Sequence, residues 1–426
     1  MDTLPPEIIG IIGSFLSCPG ILRFVCRYLR HVLSSHRTIH IEHVCTSVPM
    51  LEWAVKNGCP LSHLTYNAMA YNGCTSGIVW AEKMKPCIWD FDMYASAIRG
   101  GHMNMIEFAH ERRPRLYRSY MCEFSAKYGH FELLQWARRH SYPWDNRTCA
   151  NAAHGGHLEI LMWARDNGCP WDTDTSNYAA EGGHLEVLQW AIANGCPQGM
   201  STCSAAARGG HLEVLQWLRE DGCPWSYRTC GFAAEYGHLE VLQWARANDC
   251  PWDTWTCAVA ARENHFEILQ WCRANGGPWD DTTSMFAALS GNLEMLQWAL
   301  ANGCPFNVDM CAYAARGGHL NVLQWTRASG YQWNEKTCMF AACHGHLEVL
   351  QWARANGCPW DEKTCSEAAR NGHLEVIQWA RANGCPWDAH TCTFASNNSH
   401  LYVLEWAIEN GCPYRHYKTN GILPFL

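Results

Sequence analysis

The chain contains 426 residues, enough for two or three ordinary domains, with 23 Trp, 25 Cys and a formal net charge of −8. This acidic balance argues against a protein that binds nucleic-acid backbones, which would present a basic face, and it gives no sign of a membrane-surface protein. Because the sequence has no run of 18 apolar residues and no basic segment before its first apolar stretch, we expect neither a membrane span nor a secretory signal, and we expect free thiols in a reducing compartment.

Residues 1–46 precede the clear repeats. They carry Leu-Pro-Pro-Glu-Ile at 4–8, then an amphipathic apolar pattern, then Val-Cys-Arg at 25–27. This order resembles an F-box, a small helical domain that binds the Skp1 linker of cullin-based ubiquitin ligases. The resemblance implies a Skp1-facing apolar surface formed by Leu4, Pro5, Ile8, Ile12, Phe15 and Leu16. The alternative is that this segment only covers the open end of a repeat array.

From residue 47 onward the sequence repeats with a period of 27 residues, except for the steps of 28 on either side of His102. The string Gly-His-Leu-Glu-Val-Leu-Gln-Trp stands at 183–190, 210–217, 237–244 and 345–352. A unit this small cannot bury its own apolar face, so each unit must stack on its neighbours. With the His as position zero, 14 units begin at Ser47, Cys74, His102, His130, His157, His184, His211, His238, His265, Asn292, His319, His346, His373 and His400.

Each unit predicts two helices. Apolar residues at +1, +3, +4, +6 and +7, with polar residues at +2, +5 and +8, indicate a helix after position zero, here called helix B. Thr-Cys at +18 and +19 with Ala-Ala at +22 and +23 indicates a second helix, called helix A, for which we predict Thr364 as the N-cap and Gly372 as the residue after the end. Asn264 replaces this glycine in one unit, and asparagine also tolerates the left-handed conformation.

The pattern Thr-x-x-x-Ala-Ala-x-x-Gly-His-Leu-Glu-Val-Leu resembles the ankyrin repeat. The ankyrin unit has 33 residues, and this unit lacks about six of them, between Trp360 and Thr364, where ankyrins form a projecting finger. We therefore predict an all-α solenoid of stacked helix-turn-helix repeats over 47–414, a helical F-box-like domain over 1–46 and a tail over 415–426. Similar shortened, Trp-rich units occur in large DNA viruses and in some eukaryotic microbes. The resemblance therefore implies a cytoplasmic protein, in the host cytoplasm if the chain is viral, or a nuclear one.

Three recurring residue types could suggest chemistry. Cysteines recur at +12 and +19, but they lack the close Cys-x-x-Cys pairing of structural zinc sites. Tyr142, Gly277 or Ser176 replace them in some units. We therefore interpret the cysteines as core residues, in preference to metal ligands or disulfides. The histidines at position zero are predicted to cap helix B and to bond neighbouring backbone. Tryptophan at +6, in 13 of 14 units, is interpreted as core, whereas the row at +14 is either core or an exposed platform for nucleic-acid bases.

The residues that differ from unit to unit are the candidates for recognition. They occupy +16, +17, +20, +21, +24 and +25, which the ankyrin resemblance places on the concave face, while helix B is monotonous. We predict a partner protein in that groove, contacted by Tyr227, Arg228, Tyr236, Trp255, Arg262, Glu263, Lys336 and Arg370, because Trp, Tyr and Arg dominate binding hot spots.

The sequence therefore predicts a monomeric protein-binding scaffold that needs no cofactor and binds neither nucleic acid nor membrane. With the F-box-like segment it would act as a substrate adaptor for a Skp1-cullin-F-box ubiquitin ligase; without it, as a plain scaffold. A repeat enzyme or metal protein is the third, weaker hypothesis, because no group of nucleophile, base and orienting residue emerges from the sequence.

Overall fold

A computed structural model describes residues 45–56, 60–86, 89–112 and 118–413. Within these ranges all regular structure is helical, with 27 α-helices and no strand, which confirms the predicted all-α repeat fold. None of these helices combines the length and apolar character needed to cross a bilayer. The chain divides into two compact units: the first contains the residues up to Ala206 together with Glu213–Cys223, and the second contains Ala207–Leu212 and the residues from Pro224 onward.

The helices alternate between the two predicted types. A helix B follows each predicted position zero: Val48–Lys56, Thr75–Glu82, Met103–Arg112, Phe131–Arg139, Leu158–Asp166, Leu185–Ala193, Leu212–Glu220, Leu239–Ala247, Phe266–Ala274, Leu293–Ala301, Leu320–Ala328, Leu347–Ala355, Leu374–Ala382 and Leu401–Glu409. The A helices are His63–Tyr71, Phe91–Gly100, Arg118–Lys127, Asn146–His154, Thr173–Glu181, Met200–Gly209, Tyr227–Glu235, Thr254–Arg262, Asp281–Ser290, Met310–Arg316, Glu335–Cys343, Glu362–Arg370 and Ala389–Asn397. Within each compact unit, an A helix packs against the neighbouring A helices and against the B helix that follows it in the chain.

Helix A begins three residues earlier than the sequence predicts. The N-cap is Asp361, whose side chain accepts a hydrogen bond from the backbone N–H of Lys363, so Thr364 is not the cap. Thr364 is fully buried, and its hydroxyl has no hydrogen-bond partner among the described residues. The aspartate is the better cap because its charge also interacts favourably with the positive end of the helix.

The histidine at position zero links consecutive repeats. It stands at the N-cap position of helix B, but its side chain does not cap that helix. Instead, Nε2 of His346 donates a hydrogen bond to the carbonyl oxygen of Arg316, 3.0 Å away, at the end of the preceding helix A. Burial lowers the pKa of His346, which favours the neutral ring that this single bond needs. The predicted backbone bond is therefore confirmed and the predicted side-chain cap is wrong.

The glycine before position zero satisfies two requirements at once. Gly318 has φ +78°, and a Cβ there would lie 2.7 Å from the ring of His346 in the next repeat. Asn264 occupies the equivalent place with φ +63°, as predicted. In the repeat after it, position zero is Asn292 and not histidine, and the Asn292 amide donates a hydrogen bond to Oδ1 of Asn264 at 2.8 Å. The two exceptions therefore compensate for each other across the repeat boundary.

Small apolar residues and thiols fill the space between repeats. Of the 21 cysteines that the structure describes, all except the half-buried Cys343 are buried, which confirms their interpretation as core residues. The thiols at +12 also donate to backbone: Sγ of Cys250 lies 3.5 Å from the carbonyl oxygen of Ser226. Where Gly277 replaces the +12 cysteine, Cys272 supplies a buried thiol from helix B, where most repeats have alanine.

The tryptophans are less buried than the sequence predicts. Apart from Trp136, the described +6 rings are half-buried, and so are the described +14 rings. Each described +14 tryptophan packs edge-to-face on the +6 tryptophan of the next unit, as Trp360 does on Trp379 with centroids 6.0 Å apart. Its other side is covered by the +8 arginine, with the Arg354 guanidinium 4.0 Å from the Trp360 centroid. The +14 row is therefore enclosed between its own neighbours and does not form an open stacking platform.

Candidate functional site

The predicted recognition residues lie along the A helices. Arg228, Trp255 and Lys336 each stand second in their helix, while Arg262 and Arg370 are the last residues of theirs. Tyr227 and Tyr236 expose 42% and 47% of their surface, and Tyr236 and Glu263 occupy the C-cap positions. All eight candidates belong to the second compact unit.

Three of the candidates form one cleft. Tyr227, Arg228 and Trp255 line a cavity of about 350 Å³ together with Phe232 and Asp253, and this set is here called the Trp255 cleft. The Trp255 ring packs edge-to-face on Phe232, with centroids 5.4 Å apart and planes at 84°. The volume is at the lower end of ligand pockets, about 300–1,000 Å³, so it suits one or two side chains of a partner.

Gly231 makes room for Trp255. A Cβ on this residue would lie 1.9 Å from Cζ3 of the Trp255 ring, although its backbone is ordinary helix. Among the A helices from Asn146 onward, glycine occurs at +20 only here, and tryptophan occurs at +17 only in the following repeat. A glycine inside a helix lowers stability by about 0.5–1 kcal/mol relative to alanine. Its presence here indicates that the space for the Trp255 ring is a local feature of this repeat.

The A helices of the second unit also carry an aromatic stripe that the sequence analysis missed. In five of the seven A helices from Tyr227–Glu235 onward, position +21 is aromatic and half-buried. The sequence marks +21 as a variable position, and the aromatic bias of that position is the signal that identifies the stripe. The aromatic stripe consists of Phe232, Phe286, Tyr313, Phe340 and Phe394.

Several predicted contact residues are already engaged within the chain. Arg262 pairs with Glu263 at 2.6 Å and with Glu235 at 2.5 Å. Lys336 pairs with Asp309 at 2.8 Å, and the hydrogen bond and charge of that carboxylate raise the pKa of Lys336. These ion pairs are half-exposed and each contributes about 0–1 kcal/mol to stability, so a partner could replace them. Arg262 and Lys336 therefore do not present unpaired charges.

Arg370 and Tyr236 are engaged through aromatic contacts. The Arg370 guanidinium lies 4.2 Å from the centroid of Phe394 and 3.4 Å from a carboxylate oxygen of Glu367. Arg208 lies 5.6 Å from the Tyr236 centroid. The chain thus supplies its own cations to several rings of this face.

Helix B presents a different surface. The exposed residues of Leu347–Ala355 include Glu348 and Gln351, and the same types recur at these positions in most repeats. A surface that repeats itself cannot distinguish one end of a partner from the other. The variable aromatic face of helix A is therefore the better candidate for specific recognition.

Burial keeps two of the described thiols in their protonated form. Burial raises the pKa of Cys196 to about 11 and that of Cys304 to about 12, so both remain protonated at neutral pH. Among the described residues, no group of three or more His, Cys, Asp or Glu side chains is placed to hold a metal ion. The predicted Skp1-facing residues at 4–16 lie outside the described ranges.

Comparisons with known proteins find a family model and a solved structure that are similar to this chain. Residues 176–219 match a family model described as "Ankyrin repeats (many copies)". Among solved structures, the chain is similar to the crystal structure of the human ASB11 ankyrin repeat domain, with 19% identity over 37% of this chain and 84% of that chain and a TM-score of 0.31. No curated protein matches the sequence.

Proposed function

We propose that this chain is a protein-binding scaffold, and not an enzyme, that holds its partner on the A helices of the second unit. The observation that supports this most is the combination of the aromatic stripe with the Trp255 cleft on the variable face. Aromatic side chains, Met and Arg are the residues enriched at the centres of protein interfaces. Met285 and Met339, which precede Phe286 and Phe340, are half-buried beside the stripe. Ankyrin repeats in residues 176–219 are consistent with a binding role.

Alanine substitution on the two faces tests this proposal. Partners would first be identified by proximity labelling with the full chain, and the affinity of one purified partner would then be measured. We expect Trp255→Ala or Phe286→Ala to weaken binding by about 30-fold or more, which corresponds to a hot-spot loss of about 2 kcal/mol. Gln351→Ala and Glu348→Ala, on helix B, are the matched controls and should leave affinity unchanged. Equal losses on both faces, or losses on helix B alone, would contradict the proposal.

We further propose that the scaffold is the substrate-recognition part of a Skp1-cullin-F-box ligase. Support for this comes from the sequence resemblance of residues 1–46, since an F-box followed by a repeat array is a common adaptor layout. If the chain is viral, as the resemblance of its shortened repeats suggests, the ligase would be that of the host, in the host cytoplasm.

Binding of purified Skp1 to the full chain tests the adaptor proposal. We expect a complex that Ile8→Asp or Leu16→Asp weakens by at least about 30-fold, because a charge would replace an apolar anchor. Gln351→Asp, on helix B, is the control and should bind as the parent does. If Skp1 does not bind the parent chain, the plain scaffold remains as the function.

A further inference from the structure

Arg228 is unusual among the arginines of this chain. Each of the other arginines whose side chain the structure describes has a carbonyl oxygen, a carboxylate or an aromatic ring as partner. Arg228 is exposed, and within the described residues its guanidinium has no hydrogen bond, ion pair or ring contact. A guanidinium presents donors in a planar fork that fits a carboxylate through two parallel hydrogen bonds.

The unpaired guanidinium stands at an aromatic cavity. Arg228 lines the Trp255 cleft together with Tyr227, Phe232 and Trp255, so an apolar surface and a free cation are offered to the same ligand. Arg228 and Trp255 stand in the first turns of the neighbouring A helices Tyr227–Glu235 and Thr254–Arg262. The partial positive charge at the start of a helix also favours an anion there.

Asp253 is the one carboxylate in the cleft, and it is already used. Its Oδ1 accepts a hydrogen bond from the backbone N–H of Trp255 at 3.1 Å, so it serves as the N-cap of that helix. The helix end offsets part of its charge. Arg228 has no equivalent compensation, and the backbone N–H beside it is capped by the neutral hydroxyl of Ser226. The free charge of the cleft is therefore positive.

We propose that the Trp255 cleft binds a linear acidic segment of the partner protein, with an Asp or Glu carboxylate on Arg228 and a neighbouring apolar side chain against Trp255. This inference rests on the proposed scaffold function and names the chemistry of its ligand. The apolar contact supplies most of the affinity, because aromatic anchors dominate hot spots, and the carboxylate fixes the register of the segment.

The chain contains a matched control for Arg228. Lys363 is also second in its helix A, is also exposed, and its backbone N–H is likewise bound by the capping side chain, here of Asp361. Among the described residues its ammonium has no ion-pair partner, and it lies four to five repeats from the cleft in sequence. Lys363→Gln thus removes the same charge from the same repeat position without touching the Trp255 cleft.

A displayed library of random dodecapeptides, selected on the full chain, is the probe. We expect the enriched peptides to carry Asp or Glu close to Phe, Leu or Trp. The acidic preference should disappear on Arg228→Gln and persist on Lys363→Gln, and Trp255→Ala should abolish enrichment. A synthetic copy of the best peptide should bind Arg228→Gln about tenfold more weakly, whereas its Glu→Gln version should bind the parent and Arg228→Gln alike. A Glu→Lys peptide should regain affinity for Arg228→Glu.

Other outcomes separate this inference from the scaffold function. Enriched peptides that depend on Trp255 but are basic, and that are lost on Asp253→Asn, would overturn the acidic ligand while leaving the cleft as a binding site. An acidic preference that Lys363→Gln removes equally would show a general charge effect and would also overturn it. If no peptide is enriched, the cleft does not take a linear segment, and the alanine test of the two helix faces still decides the scaffold function.

Discussion

Gly231→Ala is expected to weaken partner binding about as much as Trp255→Ala does, by about 30-fold or more, while leaving the array folded. The new methyl group would stand 1.9 Å from Cζ3 of Trp255, so the ring must leave its seat against Phe232. The helix itself should tolerate the change, because Ala150, Ala258 and Ala312 occupy the equivalent position in other repeats. The gain in helix propensity, about 0.5–1 kcal/mol, offsets part of the lost ring packing.

A double-mutant cycle identifies the cause. In the Trp255→Ala background no ring meets the methyl group, so Gly231→Ala should then stabilise the protein by about 0.5–1 kcal/mol and cause no further loss of affinity. The measurements are the affinity for the identified partner and the midpoint of urea denaturation for the four proteins of the cycle. Additive losses of affinity would show that Gly231 acts independently of Trp255, and the proposed seat for the ring would then be wrong.

The sequence predicts the repeat and its helices well because each feature recurs many times. The 27-residue period, the helix after each position zero and the buried thiols all follow from patterns averaged over many copies. Asn264 shows that even a single exception can be interpreted, because its left-handed backbone, φ +63°, follows from a conformational rule that applies within one residue.

The errors arise where neighbouring repeats interact. Thr364 and Asp361 are both of residue types that cap helices, and the sequence does not show which one precedes the first turn. The periodicity of the +6 tryptophans is that of a core residue, whereas the structure leaves most of these rings half-buried. The contact of such a ring with the +14 ring of the preceding unit, as in the Trp360–Trp379 pair, joins two repeats and is not visible in the pattern of one.

Contacts between repeats also decide which of the candidate residues are engaged within the chain. Residue type alone makes Trp255 a candidate, and the structure places it in a cleft. The role of Gly231 depends on a contact that joins residues 24 apart in adjacent repeats, which no single-repeat pattern reveals. The ion pairs of Arg262 and Lys336 likewise join side chains from two repeats, so their engagement could not be deduced from variability.

Asn292→His is expected to destabilise the array by about 1–3 kcal/mol, although it restores the residue found at this position in most repeats. In those repeats the ring lies against a glycine, with the ring of His346 only 2.7 Å from the site of a Cβ on Gly318. Asn264 stands where that glycine would be, so the new ring meets a side chain. The change also removes two hydrogen bonds of Asn292. In one, its side-chain amide donates to Asn264, and in the other its side-chain oxygen caps the helix by accepting from the N–H of Met295.

Adding Asn264→Gly to Asn292→His should recover most of that stability. The glycine accepts the left-handed backbone without strain and leaves room for the ring, whose Nε2 can then donate to the carbonyl oxygen of Arg262, the counterpart of the His346–Arg316 bond. Asn264→Gly alone should change stability by less than about 1 kcal/mol, since it removes one exposed side-chain hydrogen bond. Urea denaturation followed by tryptophan fluorescence compares the four proteins. If Asn292→His is equally unstable with and without Asn264→Gly, the two asparagines do not compensate for each other, and the close approach of ring and glycine does not limit which residues these positions accept.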